Sequence, residues 1–401
     1  MSRPQPALPL RVSGDGRHFV DRDGEPFFWL GDTQWELLRC FPLDDARQLL
    51  ARRREQGFSA VLAMVTGCCE RDVPDVAGQL PFVDGDPDRP NEAYFQRADA
   101  IVAAAGELGL VLVLGVFHKR HRAVFPPEKV RRFARFCASR WADHPHVVWS
   151  AYPEAEPAYV PLVRELAAGL REGDGGTHLI TLHPDPSPCT SSFVHGETWL
   201  DFNSVQTWLF YHLVTPMTAA DYERTPAKPV VMAEGGYEGH QCGAVHAPHL
   251  VRKQAWWTGL AGGHHCYGHN DNYVAPEAWR SWIDAPGARQ MGVFRRILEV
   301  LPEWWRIVPE PSILIDGAGD GLARHAAGRG ASGQWALVYL SEPDTVRLRL
   351  EGVLAGPRCR ATWVNPVTGN RTGFSTFAAA GTLTTSTPGG WEDTLVLIEP
   401  A

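Results

Sequence analysis

The sequence predicts a (β/α)8 barrel followed by a small antiparallel β-sandwich. Eight short apolar runs alternate mostly with stretches of helical periodicity between Phe27 and Gly268, the pattern of parallel strands wrapped by helices. That span suits a barrel of about 250 residues within a chain of 401. Beyond Pro309-Glu-Pro311 the pattern becomes alternating runs punctuated by Gly and Pro, as in antiparallel sheets. The barrel with its β lead-in is assigned to residues 1–308 and the sandwich to 309–401. No Gly-x-Gly-x-x-Gly follows the first strand, as a doubly wound dinucleotide-binding sheet would want.

In chain order, Asp23-Gly24 marks a hairpin turn in the lead-in. Phe27–Gly31 reads as the first barrel strand, with Asp32-Thr33-Gln34-Trp35 as its exit loop. Leu43, Ala46, Leu49 and Leu50 share a helix face that ends at Gly57. Phe58–Val65 is the second strand, and Asn91 caps the next helix. Leu110–Phe117 is the third strand, with His118-Lys119-Arg120 at its end. A helix from Pro127 carries Val130, Phe133, Cys137 and Trp141 on one face. Strands four to eight are Val147–Ala151, His178–His183, Asp201–Gln206, the run Val230–Ala233 ending on Glu234, and the stretch around Gly262–Gly268. The sandwich is read from Trp335–Leu340, Thr345–Leu350, Arg360–Val364 and Thr394–Ile398, with Trp304 and Trp305 packing it on the barrel.

Composition excludes several classes. A net charge of −8 without a basic block argues against nucleic acid and against anionic membrane surfaces. No apolar stretch approaches the roughly 20 residues of a membrane span. No apolar signal segment follows Met1-Ser-Arg-Pro-Gln-Pro6, so a cytoplasmic location is expected. Eight scattered cysteines, Cys68 and Cys69 adjacent, fit reduced thiols. Aromatics are the outlier, with 15 Trp, which can stack on sugars or fill a core. His264, His265, His269 and Asp271 match no zinc spacing, and neither a metal nor a cofactor is expected.

Barrel chemistry collects at C-terminal strand ends, and glycoside hydrolysis usually needs two carboxyl groups there. Glu154 follows strand four and Glu234 ends strand seven, three strands apart across the mouth. Glu156 competes with Glu154, but it precedes Pro157 and fits the start of the next helix. Glu238 competes with Glu234, but it lies further along the loop and reads as a group that binds a hydroxyl or orients Glu234. Asp32, Gln34, Trp35, His118, Tyr152, His183, Gln206, Trp208, Tyr237, His265 and Tyr267, with Glu238, are the candidate sugar contacts.

Several motifs together resemble one family. They are Gly31-Asp-Thr-Gln-Trp-Glu36, Gln56-Gly-Phe58, Asn91-Glu-Ala-Tyr-Phe95, Val147-Val-Trp149, Trp199-Leu-Asp-Phe-Asn203 with Gln206, Pro229-Val-Val-Met-Ala-Glu234 with Tyr237-Glu238, and Ala261-Gly-Gly-His-His-Cys-Tyr-Gly268. In their joint order they resemble the apiosidase-like glycoside hydrolases, family 140 and its relatives. Trp363-Val-Asn-Pro-Val-Thr-Gly369 resembles the sandwich that follows the barrel in members. The resemblance implies an exo-acting glycosidase of the kind that releases terminal apiose. Relatives carry Gly-Gly-Asp after strand four, with Asp as acid/base; here Tyr152-Pro153-Glu154 stands in that place. The family nucleophile falls on Glu234. After strand six, where relatives often carry Gln-Ser-Gly-His, this chain has Gln206-Thr-Trp-Leu209.

The expectation is a retaining glycosidase acting on a terminal sugar of a small glycoside or oligosaccharide, without a cofactor. The alternatives are a catalytically inactive carbohydrate-binding barrel and an inverting hydrolase. Carboxyl separation divides retaining from inverting chemistry, at about 5–5.5 Å against about 6.5–9.5 Å.

Overall fold

The computed structural model describes residues 5–68, 73–151, 155–242 and 244–401. Eight parallel strands form the barrel: β1 Leu30–Thr33, β2 Ala60–Met64, β3 Val111–Gly115, β4 Val147–Ser150, β5 Ile180–Thr181, β6 Asn203–Trp208, β7 Val230–Gly235 and β8 His264–Tyr267. They run in the order β5-β4-β3-β2-β1-β8-β7-β6. Among the described residues, seven main helices accompany them: α1 Leu43–Gln56, α2 Glu92–Glu107, α3 Pro127–Arg140, α4 Val160–Asp174, α5 Val214–Tyr222, α6 Pro248–Leu260 and α7 Pro286–Glu299. Among the described residues, no helix is long and apolar enough to cross a membrane.

Local chemistry sets the ends of these elements. Asn91 caps α2, its side chain accepting from Ala93 N at 3.2 Å. Gly57 closes α1 at φ +101°, a conformation that costs a glycine little. The ring closes between β5 and β6 largely by side chains. Asp201 N donates to Ile180 O at 2.9 Å. Asp201 Oδ2 accepts from Ile180 N at 2.7 Å. Thr181 Oγ1 donates to Phe202 O and also meets Ser204 Oγ, both at 2.8 Å.

The barrel interior is filled by Ala60, Leu62, Met64, Val111, Val113, Val148, Val231, Ala233 and Cys266. Gly31 belongs to this layer, because a Cβ there would collide with Cys266 Sγ. The lead-in hairpin, Phe19–Val20 paired with Pro26–Phe27, closes the N-terminal end. Phe19 packs on Trp29 at 4.8 Å and on Phe202 at 5.1 Å.

Two strand expectations need correction. The first barrel strand begins at Leu30 rather than Phe27, because Phe27 pairs in the hairpin and Phe28 packs outward on Phe294 and Trp304. Asp32 and Thr33 therefore lie inside the strand, not in its exit loop. The fifth strand shrinks to two residues, since the Asp201 carboxylate takes the Ile180 amide and His178 turns to Asp174 and the His144 carbonyl.

The C-terminal region is a six-stranded antiparallel sheet facing a two-stranded one. The larger runs Ile307–Pro309, Ala326–Gly330, Ala336–Leu340, Thr394–Pro400, Arg358–Val364, Arg371–Ala378 in spatial order, and the smaller pairs Thr345–Arg349 with Thr382–Ser386. One apolar cluster runs through the joint. It contains Val251, Ala255, Trp256 and Leu260 of α6, Met291 and Phe294 of α7, and Trp335, Leu337, Tyr339, Leu395 and Leu397 of the sheet. Trp256 stacks on Tyr339 at 6.0 Å. Trp304 also joins this cluster, against Phe28. Six tryptophans are wholly buried, so core packing accounts for much of the tryptophan excess.

Candidate active site

Glu234 stands at the C-terminal end of β7, where the ladder to β6 slips. Met232 pairs with Val205, Glu234 with Gln206 and Gly235 with Trp208. The two register shifts are bulges, which re-aim side chains at barrel rims. They bring Gln206 level with Glu234, while Trp208 is held at φ +48°. A bulky residue in that left-handed region costs about 1–3 kcal/mol, and such positions gather at functional sites.

A cavity of about 300 Å³ opens here, lined by Trp35, Cys68, His118, Lys119, Arg120, Pro186, Gln206, Trp208, Glu234 and Tyr273. Glu234 is 7% exposed, and its Oε2 lies 3.2 Å from His183 Nε2. Tyr237 hydrogen-bonds Glu234. Burial and the adjacent Glu234 charge push this phenol well above its usual range, so it remains a neutral donor. The indole of Trp35 donates to the Tyr237 oxygen at 2.6 Å. Trp208 packs edge-on against Tyr237 at 5.1 Å, and Trp35 against His183 at 5.5 Å.

Two polar groups of the cavity bear on ligand binding. Gln206 is 2% exposed, and its Oε1 is buried without a hydrogen-bond partner. An acceptor in that position is costly unless something fills it. His118 Nδ1 accepts from Arg120 N at 3.2 Å. Burial, then the nearby Arg120 charge, lowers the imidazole to about 3. His118 is therefore neutral at pH 7, and with Nδ1 accepting, its proton sits on Nε2.

The model of the family described as "Apiosidase-like, catalytic domain" matches residues 13–305. The chain belongs to that family. It is a glycoside hydrolase, and its substrates are carbohydrates. The family described as "Putative collagen-binding domain of a collagenase" matches residues 308–399. Among solved structures, one titled "Glycoside hydrolase" is 21% identical with a TM-score of 0.89, covering 98% of this chain and 97% of that one. A glycoside hydrolase family 5 structure from Bacteroides vulgatus ATCC 8482 is 23% identical with a TM-score of 0.88, covering 98% and 93%. At these identities the likeness shows a shared fold. No curated protein matches the chain.

Within this apiosidase-like barrel, the residues singled out from the sequence divide into three groups. Trp35, His118, Gln206, Trp208 and Glu234 line the cavity, with His183 and Tyr237 packed against them. Tyr152 and Glu154 lie outside the described residues, as does Cys69. The remainder are not among the residues that line this cavity. Asp32 is fully buried, and its Oδ2 accepts from Arg53 Nε at 2.8 Å and Gln34 Nε2 at 2.6 Å. Burial nonetheless raises its pKa. Glu238 Oε1 accepts from Gly287 N at 3.0 Å, at the first turn of α7, and its Oε2 accepts from Tyr267 OH at 2.5 Å. An acid at a helix N-terminus satisfies free amides and the dipole, so Glu238 and Tyr267 brace α7. His265 pairs level with Leu30 and, together with Phe28 and Trp29, lines a separate small cavity rather than the one at Glu234.

The neighbouring polar residues diverge. His264 packs on Phe19 at the barrel floor, and His269 stacks on Trp282. Among the described residues, no three His, Cys, Asp or Glu side chains gather as metal ligands would. Among the described residues, Cys137, Cys189, Cys266 and Cys359 are free thiols. Glu156 is exposed and precedes the short helix at Pro157, as its sequence position anticipates.

Sequence reasoning missed Tyr273, which follows β8 by six residues and carries no strand-exit signal. It also missed Glu36, wholly buried, whose carboxylate takes Arg39 Nε at 2.6 Å and Cys68 N at 2.9 Å. That carboxylate ties down the loop from which Cys68 enters the cavity. Arg53 could have been found, since it lies on the apolar face that Ala46, Leu49 and Leu50 mark in α1.

Proposed function

We propose that this glycoside hydrolase is exo-acting and retaining, and that it removes a terminal furanosidic, apiose-like sugar from a small glycoside or oligosaccharide. Glu234 attacks the anomeric carbon while Glu154 protonates the departing oxygen. Glu154 then takes a proton from water, and that water releases the sugar from Glu234. Tyr237 and His183 hold the Glu234 carboxylate. His118 Nε2–H donates to a sugar hydroxyl, and Gln206 Oε1 accepts from one.

The observation that carries this reading is Glu234, fixed at a bulged strand end in a cavity whose other buried acceptor, Gln206 Oε1, has no partner. The assignment of Glu154 draws support from its neighbour. Ala155 N donates to His183 O at 3.0 Å, and the His183 ring touches Glu234. Exo-action draws support from the cavity, which at about 300 Å³ is at the small end for ligand pockets.

The test starts from aryl furanosides and pyranosides that the wild type cleaves. Glu234→Gln should lower kcat by about 10⁴-fold or more, and NMR of the first-formed product should show the starting anomeric configuration. Wild-type rates in Glu234→Gln would remove the nucleophile assignment, and an inverted first product would remove the double displacement.

A further inference from the structure

Two glycines follow Glu234 and bring no side chains to hold their course. A neighbouring helix supplies the hold. Gln254 of α6 is 1% exposed. Its Oε1 accepts from Gly236 N at 2.8 Å, and its Nε2 donates to Gly236 O at 3.1 Å. One amide thus satisfies both backbone groups of the residue two places past Glu234. The fit leaves no room: a Cβ on Gly235 would collide with Gln254 Oε1, and one on Gly236 would lie 2.6 Å from His246 Cε1.

The same helix is fastened to the sandwich. Arg252 and Trp256 stand four residues apart on one face, with Gln254 turned away from them. Arg252, 1% exposed, donates to Asp393 through Nε at 2.7 Å and Nη2 at 2.9 Å. Its Nη1 donates to Gln290 Oε1 at 2.6 Å. Asp393 also accepts from Tyr339 OH at 2.7 Å, and Tyr339 stacks on Trp256.

We propose that Gln254 is a positioning residue that sets the aim of Glu234, and that the sandwich holds Gln254 in place through Arg252 and Trp256. The proposal rests on Glu234 being the nucleophile. A displacement of about 1 Å at a reacting group can cost about a hundredfold in rate, so a clamp two residues away registers in kcat.

The experiment compares full-length wild type, Gln254→Ala, Gln254→Glu, Asp393→Asn, the Gln254→Ala/Asp393→Asn double variant and Glu234→Gln on one aryl glycoside. Gln254→Ala should lower kcat by about 10–100-fold with KM within about twofold. Labelling of Glu234 by a 2-fluoro glycoside should slow by the same factor. Gln254→Glu keeps an acceptor for Gly236 N–H and should recover part of the rate. Asp393→Asn should lower kcat alone yet add nothing in the Gln254→Ala background, the mark of coupled sites. Unchanged kcat in Gln254→Ala, a loss confined to KM, or additive losses in the double variant overturns the proposal. If Gln254→Ala does not fold, the kcat–KM split in Gln254→Glu and Asp393→Asn decides by the same criteria. Full activity in Glu234→Gln removes the underlying reading, and so separates that failure from a failure of the clamp.

Discussion

Gln206 is the residue whose environment asks most plainly for a ligand. Its Oε1 is buried, unpaired and beside Glu234. Replacing it with Leu removes an unmet acceptor from the free protein and a hydrogen bond from the bound one. Gln206→Leu should therefore lose about 1–3 kcal/mol in kcat/KM, or about 5–150-fold, while its melting temperature stays level or rises. A variant that melts earlier with unchanged kinetics would make Gln206 structural. Asp32 differs, because its fully buried carboxylate is held through Oδ2 by Arg53 and Gln34. From the sequence, an acid beside Gln34 and Trp35 near a strand end reads as a sugar contact or as a cap on the helix that follows. Its true partner, Arg53, is 21 residues away and faces inward from α1. Local sequence carries no record of that pairing.

Glu238 makes the same point for an element. It lies four residues beyond Glu234 and looks like a second mouth acid, yet it caps α7 and accepts from Tyr267. Glu238→Ala should destabilise the fold by about 2 kcal/mol, through the lost cap and a stranded phenol, with KM within about twofold. A raised KM at unchanged melting temperature would return Glu238 to the substrate.

Elements whose punctuation is local were legible in the sequence: Asn91 and Gly57 at helix ends, and the apolar run closed by Glu234 at β7. β1 was misplaced because Phe27 to Leu30 is one apolar run shared between hairpin and strand, with no break to divide them. The sandwich strands Ala326–Gly330 and Thr382–Ser386 escaped because small and hydroxylated residues leave little apolar alternation. Strand-exit positions point to His118, Gln206 and Glu234, and all three line the cavity. The same rule could not reach Tyr273, nor see that the mouth acid Glu238 turns away.

For the molecule as a whole, buried and half-buried histidines contribute to the response to acid. Burial lowers His264 and His265 to about 3, and His146 and His269 to about 4. The unfolded chain, with ordinary imidazoles near 6.5, binds these protons first. The stability they contribute is therefore complete above about pH 6.5 and is lost as pH falls toward 4 and then 3. Thermal melts should shift downward from about pH 6.5 to 4, and His265→Gln should shift less than wild type. A melting temperature that stays flat across that range would contradict the assignment.

The joint between barrel and sandwich bears on how such chains can recombine. The apolar cluster at Trp256 and Tyr339 is continuous across it, and a buried guanidinium on one side needs a carboxylate on the other. A sandwich grafted from a relative would have to bring an acid where Asp393 stands, and aromatic bulk where Tyr339 stands. Without the acid, Arg252 loses its buried partner and keeps only the exposed Glu392 carboxylate, 3.2 Å from its Nη2, at a cost of up to about 3–5 kcal/mol. Gene fusions that treat the two halves as interchangeable cassettes should be selected against at that one position before any sugar is met.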